Sequence, residues 1–277
     1  MKTLPKRGRG FDEAYIEEAE VADRGNDRKF NNSLSRGFDI LRAFKPGAGP
    51  MGNGELSAAT GIPRPTVTRL THTLTELGYL RSVKSEGKFE PTEAILALGY
   101  AVVSNMPVRQ VVRDPMLRLA MGHDVTVALA ARDRSSMIIV DAFNASSLSS
   151  LHLEVGSRVP IATTAVGRAF LAGLEEPERA FFLGLLEAKL GAEQWLEVQP
   201  RVEDAIEQVA RRGYCYVEDE WFSGMRAVGA PLLSTTGQSL KAVLCGAPSF
   251  VVTREKLEGE LGPQLAHMCR QLSPLLR

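Results

Sequence analysis

Cysteine, histidine and long apolar runs are all scarce in this 277-residue chain, and each scarcity excludes a class of protein. The three cysteines, Cys215, Cys245 and Cys269, are odd in number and far apart, so they read as reduced thiols rather than a disulfide framework. The four histidines, His72, His123, His152 and His267, never fall at the spacing of a metal site. No Ser, His and Asp set stands out as a nucleophile with its base and orienting group. The expectation is therefore no metal, no cofactor and no catalytic residue. No stretch approaches the roughly 20 apolar residues of a membrane span. Behind the basic start MKTLPKRGRG there is no apolar segment of the kind a secretory signal carries, so a cytoplasmic protein without a membrane partner is expected. Net charge is zero, with 33 basic and 33 acidic residues, which argues against a polybasic protein but leaves room for a local patch.

The length exceeds a typical single domain and suits two modest ones. Residues 1–30 mix basic and acidic runs with few apolar residues and read as a mobile tail. From Ser33, the apolar residues Leu34, Phe38, Leu41 and Phe44 recur every three or four positions and predict a helix with that stripe buried, stopped by Pro46. PGAGPMGNG reads as a flexible loop. Its match to G-x-G-x-x-G, from Gly47 to Gly52, follows a helix rather than a strand and carries no dinucleotide chemistry. ELSAATG predicts a short second helix with Leu56 and Ala59 inward and Gly61 as its C-cap.

A third helix opens at Pro63-Arg64-Pro65, where proline is tolerated because first-turn amides have no carbonyl partner. Val67, Leu70, Leu74 and Leu77 give its buried stripe, while Arg64, Thr66, Thr68, Arg69 and His72 occupy the other face. GYLRSV and KFEPT, joined by KSEGK, predict a hairpin with Lys84 and Lys88 at its tip. This is the element order of a winged helix-turn-helix. Over residues 33–92, Lys and Arg outnumber Asp and Glu by eight to five. Short hydroxyls and arginines on such a helix suit a major groove, so Arg64, Thr66, Thr68, Arg69, His72, Lys84 and Lys88 are the candidate contacts to double-stranded operator DNA. A merely solvated face on a small helical domain is the alternative.

Residues 93–105 continue as a helix that is apolar on more than one side, as a linker helix used in dimerisation would be. After Pro107 a helix runs to about Met121. VTVALAA, MIIVDAF and SLHLEV then read as strands, and VGSRVPIATTAVGRAFLAGL as a loop entering a helix. Two further helices cover 177–187 and 202–213, the strands YCYVED, MRAVGAPLL and LKAVLCGAP follow, and a last helix starts near Thr253. Such an α+β module is sensor-like. Expected bounds are a tail over 1–30, a DNA-binding domain over 31–92, a linker helix over 93–107 and an effector domain over 108–277. Thr163 and Thr164 lead into a helix whose first-turn amides, around Ala165 and Val166, form an anion site. A capped helix start that binds nothing fits the same residues.

Several phrases in order resemble the IclR family of bacterial transcriptional regulators, from Ser33 to Arg277: SRGFDILRAF, GIPRPTVTRLTHTLTELGYL, GKFEPTEAILALGYAV, VGSRVPIATTAVGRAFLAGL, RRGYCYVEDEWFSGMRAVGAPL and AVLCGAP. The linker phrase and the step into NMPV are most similar to the branch regulating protocatechuate and p-hydroxybenzoate catabolism. The resemblance implies a winged helix-turn-helix joined by a linker helix to a GAF-like α/β effector domain, a small organic acid as effector, and dimers or dimers of dimers. The chain departs from the family pattern at Val217, usually acidic, at Ala227, usually small and polar or cysteine, and at Leu244 and Gly246, often serine. A polar ligand group left without a partner costs about 1–3 kcal/mol, so the pocket should reject glyoxylate-like acids and take an apolar or aromatic body with one acid group. Candidate effector contacts are Thr163, Thr164, Ala165, Val166, Val217, Met225, Ala227, Leu244 and Gly246. Trp221 and Phe222 could join them or simply fill core or interface. The expected protein is a ligand-responsive operator-binding regulator. A metabolite sensor that does not read DNA, and an enzyme, are the alternatives.

Overall fold

The computed structural model describes residues 29–145, 153–234 and 240–276. The tail expected over 1–30 thus falls almost wholly outside the described residues. Two compact units divide between Asn105 and Met106.

In the first unit, α1 (Asn32–Ala43) begins where the Asn31 side chain accepts the Leu34 N–H, and it ends as Phe44 turns extended ahead of Pro46. Its buried residue is Ile40, whereas Leu34 and Phe38 of the expected stripe are exposed. The helix is rotated because Ile40, flanked by Leu41, Ala43 and Phe44, is the row that meets the small core made by Leu56, Val67, Leu74 and Leu80. In α2 (Asn53–Thr60), Leu56 is buried as expected but Ala59 is exposed. Gly61 closes it with φ +70°, a left-handed conformation that favours glycine. α3 (Arg64–Glu76) turns Val67, Thr71 and Leu74 inward. Leu77, expected in that stripe, caps the helix and stays exposed, while Thr71 holds a buried place because its hydroxyl bonds the Val67 carbonyl and Asn53 Oδ1. β1 (Leu80–Val83) and β2 (Lys88–Pro91) form the antiparallel wing. Met51 bridges Phe89 through two backbone hydrogen bonds, so the end of the expected flexible loop is pinned to the wing. α4 (Ala94–Ser104) buries none of its residues.

The second unit is built on one antiparallel sheet in the order β5-β4-β3-β8-β7-β6. Its strands are β3 (Thr126–Asp133), β4 (Ser136–Asn144), β5 (Arg158–Pro160), β6 (Cys215–Glu218), β7 (Met225–Leu232) and β8 (Lys241–Pro248). The third strand expected at SLHLEV is displaced. Residues 150–152 lie outside the described residues and 153–155 are not strand, because a turn at Gly156 (φ +93°) precedes the pairing of Arg158–Pro160 with β4. Side chains alternate across the sheet. Val127, Leu129, Val243 and Cys245 enter a core with α5 (Pro107–His123) and α9 (Gly262–Leu272). Ala128, Ala242 and Leu244 face a second core with α6 (Ala165–Gly173), α7 (Glu176–Leu190) and α8 (Ala192–Arg212). Thr253 caps the short helical turn Arg254–Lys256, which runs through the π-helical Leu257–Leu261 into α9.

Close backbone approach fixes where α6 starts. A Cβ on Gly229 of β7 would lie 2.2 Å from the Ala165 carbonyl oxygen, and one on Gly167 would lie 2.2 Å from that of Ile161. Only glycine fits either place, so the first turn of α6 rests directly on β7. Among the described residues no single helix is long and apolar enough to cross a membrane.

Candidate functional site

The first candidate surface is the outer face of α3. Arg64, Thr68, Arg69 and His72 are exposed there, and Thr66 is half-buried. The Arg64 guanidinium lies over the start of α2, where a Cβ on Gly54 would come 2.9 Å from Arg64 Nη2. The Asn53 amide ties α2 to α3: its Nδ2 donates to Thr68 Oγ1 at 3.1 Å and its Oδ1 accepts from Thr71 Oγ1 at 3.1 Å. The two wing lysines differ. Lys84 is exposed in the turn between β1 and β2, whereas the Lys88 ammonium sits 3.7 Å from Glu55 and 4.0 Å from Glu86. Lys88 therefore tethers the wing to α2, and Lys84 is the lysine that stands open to a phosphate.

The second candidate is a cavity between the first turn of α6 and the sheet, with about 590 Å³ of empty space including its mouth. Thr163, Thr164, Ala165, Met225 and Leu244 line it. So does a row running straight across four strands, in which Val217 faces Ala227, Ala227 faces Gly246 and Gly246 faces Thr126. Of the sequence candidates only Val166 is not part of the wall. Its side chain is fully buried in the core, because the second position of α6 points at the helices behind.

Hydrogen bonding separates the two threonines. Thr164 is the N-cap: its Oγ1 accepts the Gly167 N–H at 3.2 Å and donates to the Pro160 carbonyl at 2.5 Å. Its only proton is engaged inside the protein, so it has none for an acid. The half-buried Thr163 hydroxyl has no hydrogen-bond partner among the described residues. Beside it, the N–H groups of Ala165 and Val166 lack carbonyl partners within the helix, as first-turn amides do. A carboxylate placed there would meet the Thr163 hydroxyl, the Ala165 N–H and the positive end of α6.

Sequence reasoning missed Thr126, Leu153, Val159, Glu220 and Arg226, which complete the wall. The Arg226 guanidinium is engaged elsewhere, by Glu218 at 2.6 Å and by the Ser249 and Val252 carbonyls. Glu220 matters more, since a bare carboxylate in the wall would repel an acid. Arg168, 2% exposed, cancels it through a bidentate pair at 2.7 and 2.5 Å, and its Nε donates to the Ala162 carbonyl at 2.8 Å. The sequence does hold a signal for this pair. Arg168 stands in the apolar run AVGRAFLAG, and a buried guanidinium requires a counter-charge. At the edge of the sheet the Tyr216 hydroxyl, then Arg226, hold the Glu218 carboxyl below the usual carboxylate range. Behind the cavity Cys215 donates to the Ala165 carbonyl, and burial pushes its thiol up to about 12, which leaves it unreactive. Trp221 and Phe222 pack with ring centroids 4.4 Å apart and planes tilted by 58°, and they give the wall its aromatic side.

Comparison with known proteins gives two family matches. The family described as "Bacterial transcriptional regulator IclR C-terminal" matches residues 100–274, and the "IclR helix-turn-helix domain" matches residues 33–84. The "Pca regulon regulatory protein" of Pseudomonas putida is 29% identical over 89% of this chain and 84% of its own length. An IclR family transcriptional regulator from Brucella abortus, of known structure, is 38% identical, with a TM-score of 0.83 over 91% of this chain and 95% of that one. An IclR homolog from Microbacterium hydrocarbonoxydans, solved with 4-hydroxybenzoate, shares the fold at 17% identity and a TM-score of 0.67, over 87% of this chain and 97% of that one.

Proposed function

The chain belongs to the IclR family of DNA-binding transcriptional regulators, and from that premise we propose that it reads operator DNA with α3 and the wing and answers to an aromatic or branched carboxylic acid held in the cavity under α6. The acid group sits against Thr163 and the first-turn amides of α6. The body of the effector lies over Val217, Ala227, Leu244, Met225 and Gly246, with Trp221 and Phe222 at its side. The carrying observation is the row Val217, Ala227 and Gly246, with Leu244 beside it, which offers carbon where a smaller, more polar acid would need partners. Such an acid would leave its own polar groups unpaired at about 1–3 kcal/mol each.

Thermal-shift titration tests this. Benzoate and 4-hydroxybenzoate, the latter being the ligand of the distant Microbacterium relative, should raise the melting temperature, and glyoxylate and pyruvate at the same concentration should not. The opposite ranking refutes the pocket reading.

For operator reading, Arg69 is the base-contact candidate, with Arg64, Thr66, Thr68 and His72 around it. Lys84 and, less directly, Lys88 serve the phosphates. α4 supports a homodimer, or a dimer of dimers, because Leu96 and Tyr100 are each 71% exposed on a helix that buries nothing. Two chains paired there present two copies of α3 about a twofold axis, and the matching operator is a pseudo-palindrome.

A further inference from the structure

Recognition helices rich in threonine invite the assumption that the hydroxyls contact DNA, yet on α3 every threonine hydroxyl but that of Thr66 is occupied within the protein. Thr68 Oγ1 donates to the Arg64 carbonyl at 3.0 Å, Thr73 to that of Arg69 at 2.9 Å and Thr75 to that of Thr71 at 2.8 Å. Each hydroxyl has one proton, and each proton points back along the helix. Thr68 is engaged twice, because its oxygen also accepts from Asn53 Nδ2 at 3.1 Å. Phosphate oxygens and the guanine N7 and O6 atoms need donors, and Thr68 has none to offer them. Its Oγ1 is held by the Arg64 carbonyl and the Asn53 amide while the residue remains exposed between Arg64, Arg69 and His72, so the group it has left to offer a partner is its methyl.

We propose that Thr68 is a specificity-determining residue that reads a thymine by contact of its methyl group with the thymine C5-methyl. The major groove marks A·T pairs by this methyl, and threonine methyls are among the groups that contact it. The inference rests on the reading of α3 as the element that enters the groove.

The test uses the full chain and an operator fragment recovered by selection from random duplex DNA. Each thymine of the fragment is replaced in turn by deoxyuridine, which lacks only the 5-methyl. One replacement per half-site should weaken wild-type binding about fourfold, the effect of one buried methyl. Thr68→Ser, which keeps the back-bonded hydroxyl and removes the methyl, should lose that thymine preference. Thr68→Val, which keeps the methyl and removes the hydroxyl, should retain it. Melting temperatures of both variants should stay near wild type, which secures the comparison. Indifference to deoxyuridine at every position, or a Thr68→Ser protein that still prefers thymine fourfold, overturns the proposal. Arg69→Ala distinguishes the two levels of failure. If it weakens binding while the deoxyuridine series is flat, only the methyl contact is wrong; if it too binds as wild type, the placement of α3 in the groove fails along with it.

Discussion

Replacing Thr163 and Thr164 separately by valine should split folding from effector binding. Both changes keep a β-branched side chain and remove only the hydroxyl. At Thr164 that hydroxyl caps α6 by accepting the Gly167 N–H and donates to the Pro160 carbonyl. Loss of a cap costs about 1 kcal/mol, and an unmet carbonyl at a partly buried place costs about 1 kcal/mol more. The sum, about 2 kcal/mol, should lower the melting temperature of a unit of this size by roughly 4–8 °C. At Thr163 the hydroxyl bonds nothing among the described residues, so Thr163→Val should melt within about 1 °C of wild type. Its effect should appear on the ligand, with affinity for an aromatic acid about tenfold weaker for one lost bond to a charged group. The chain contains only two tryptophans, Trp195 and Trp221, both in the second unit. Tryptophan fluorescence during heating therefore follows the effector unit by itself. The reverse pattern, a destabilised Thr163→Val and a stable Thr164→Val that fails to bind the acid, would refute the assignment of the two hydroxyls.

Arg168→Ala leaves the Glu220 carboxylate, 12% exposed, with only the more distant Arg201 at 3.5 Å, and should destabilise the effector unit by about 3 kcal/mol, whereas Arg168→Met with Glu220→Leu should recover most of that; a single variant as stable as wild type in urea unfolding contradicts the pairing. Glu218 has a folded-state carboxyl held low, so it contributes stability above its ordinary range that is lost as pH falls through its lowered value. Accordingly Glu218→Gln should melt lower than wild type at neutral pH and match it in strong acid, and a gap that widens on acidification has the wrong sign. Lys84→Ala should reduce the slope of log affinity against log salt by about 0.9 per half-site and weaken all DNA sequences alike, with a smaller change for Lys88→Ala because Glu55 and Glu86 already engage it. Footprints of wild type should show two symmetric half-sites; one isolated half-site bound by a monomer argues against pairing through α4.

The sequence made the element order legible because its punctuation is local. Gly61 and the Pro63-Arg64-Pro65 step mark the turn and the start of α3, and short apolar runs bounded by polar turns mark β3, β4, β7 and β8. Which row of a helix is buried was less legible, since Ile40 and Thr71 owe their burial to partners on other elements, and Leu34 and Leu77 lie beyond the reach of those partners. The cavity divides in the same way. Its α6 side follows from a capped helix start, and its apolar row follows from residues that face one another once β6, β7 and β8 pair. Glu220 was missed because its partner Arg168 lies 52 positions away, and nothing local to either residue states that they meet. The assignment of a proton to Pro160 rather than to a ligand likewise depends on a distance that no spacing rule supplies.

The most direct test of the central claim is the affinity of the full chain for its selected operator, measured by fluorescence anisotropy with and without each acid. The account predicts that benzoate or 4-hydroxybenzoate changes that affinity by about tenfold, a coupling in the usual range for an effector, and that glyoxylate at the same concentration leaves it unchanged. An operator affinity that responds to glyoxylate and ignores every aromatic acid would contradict it.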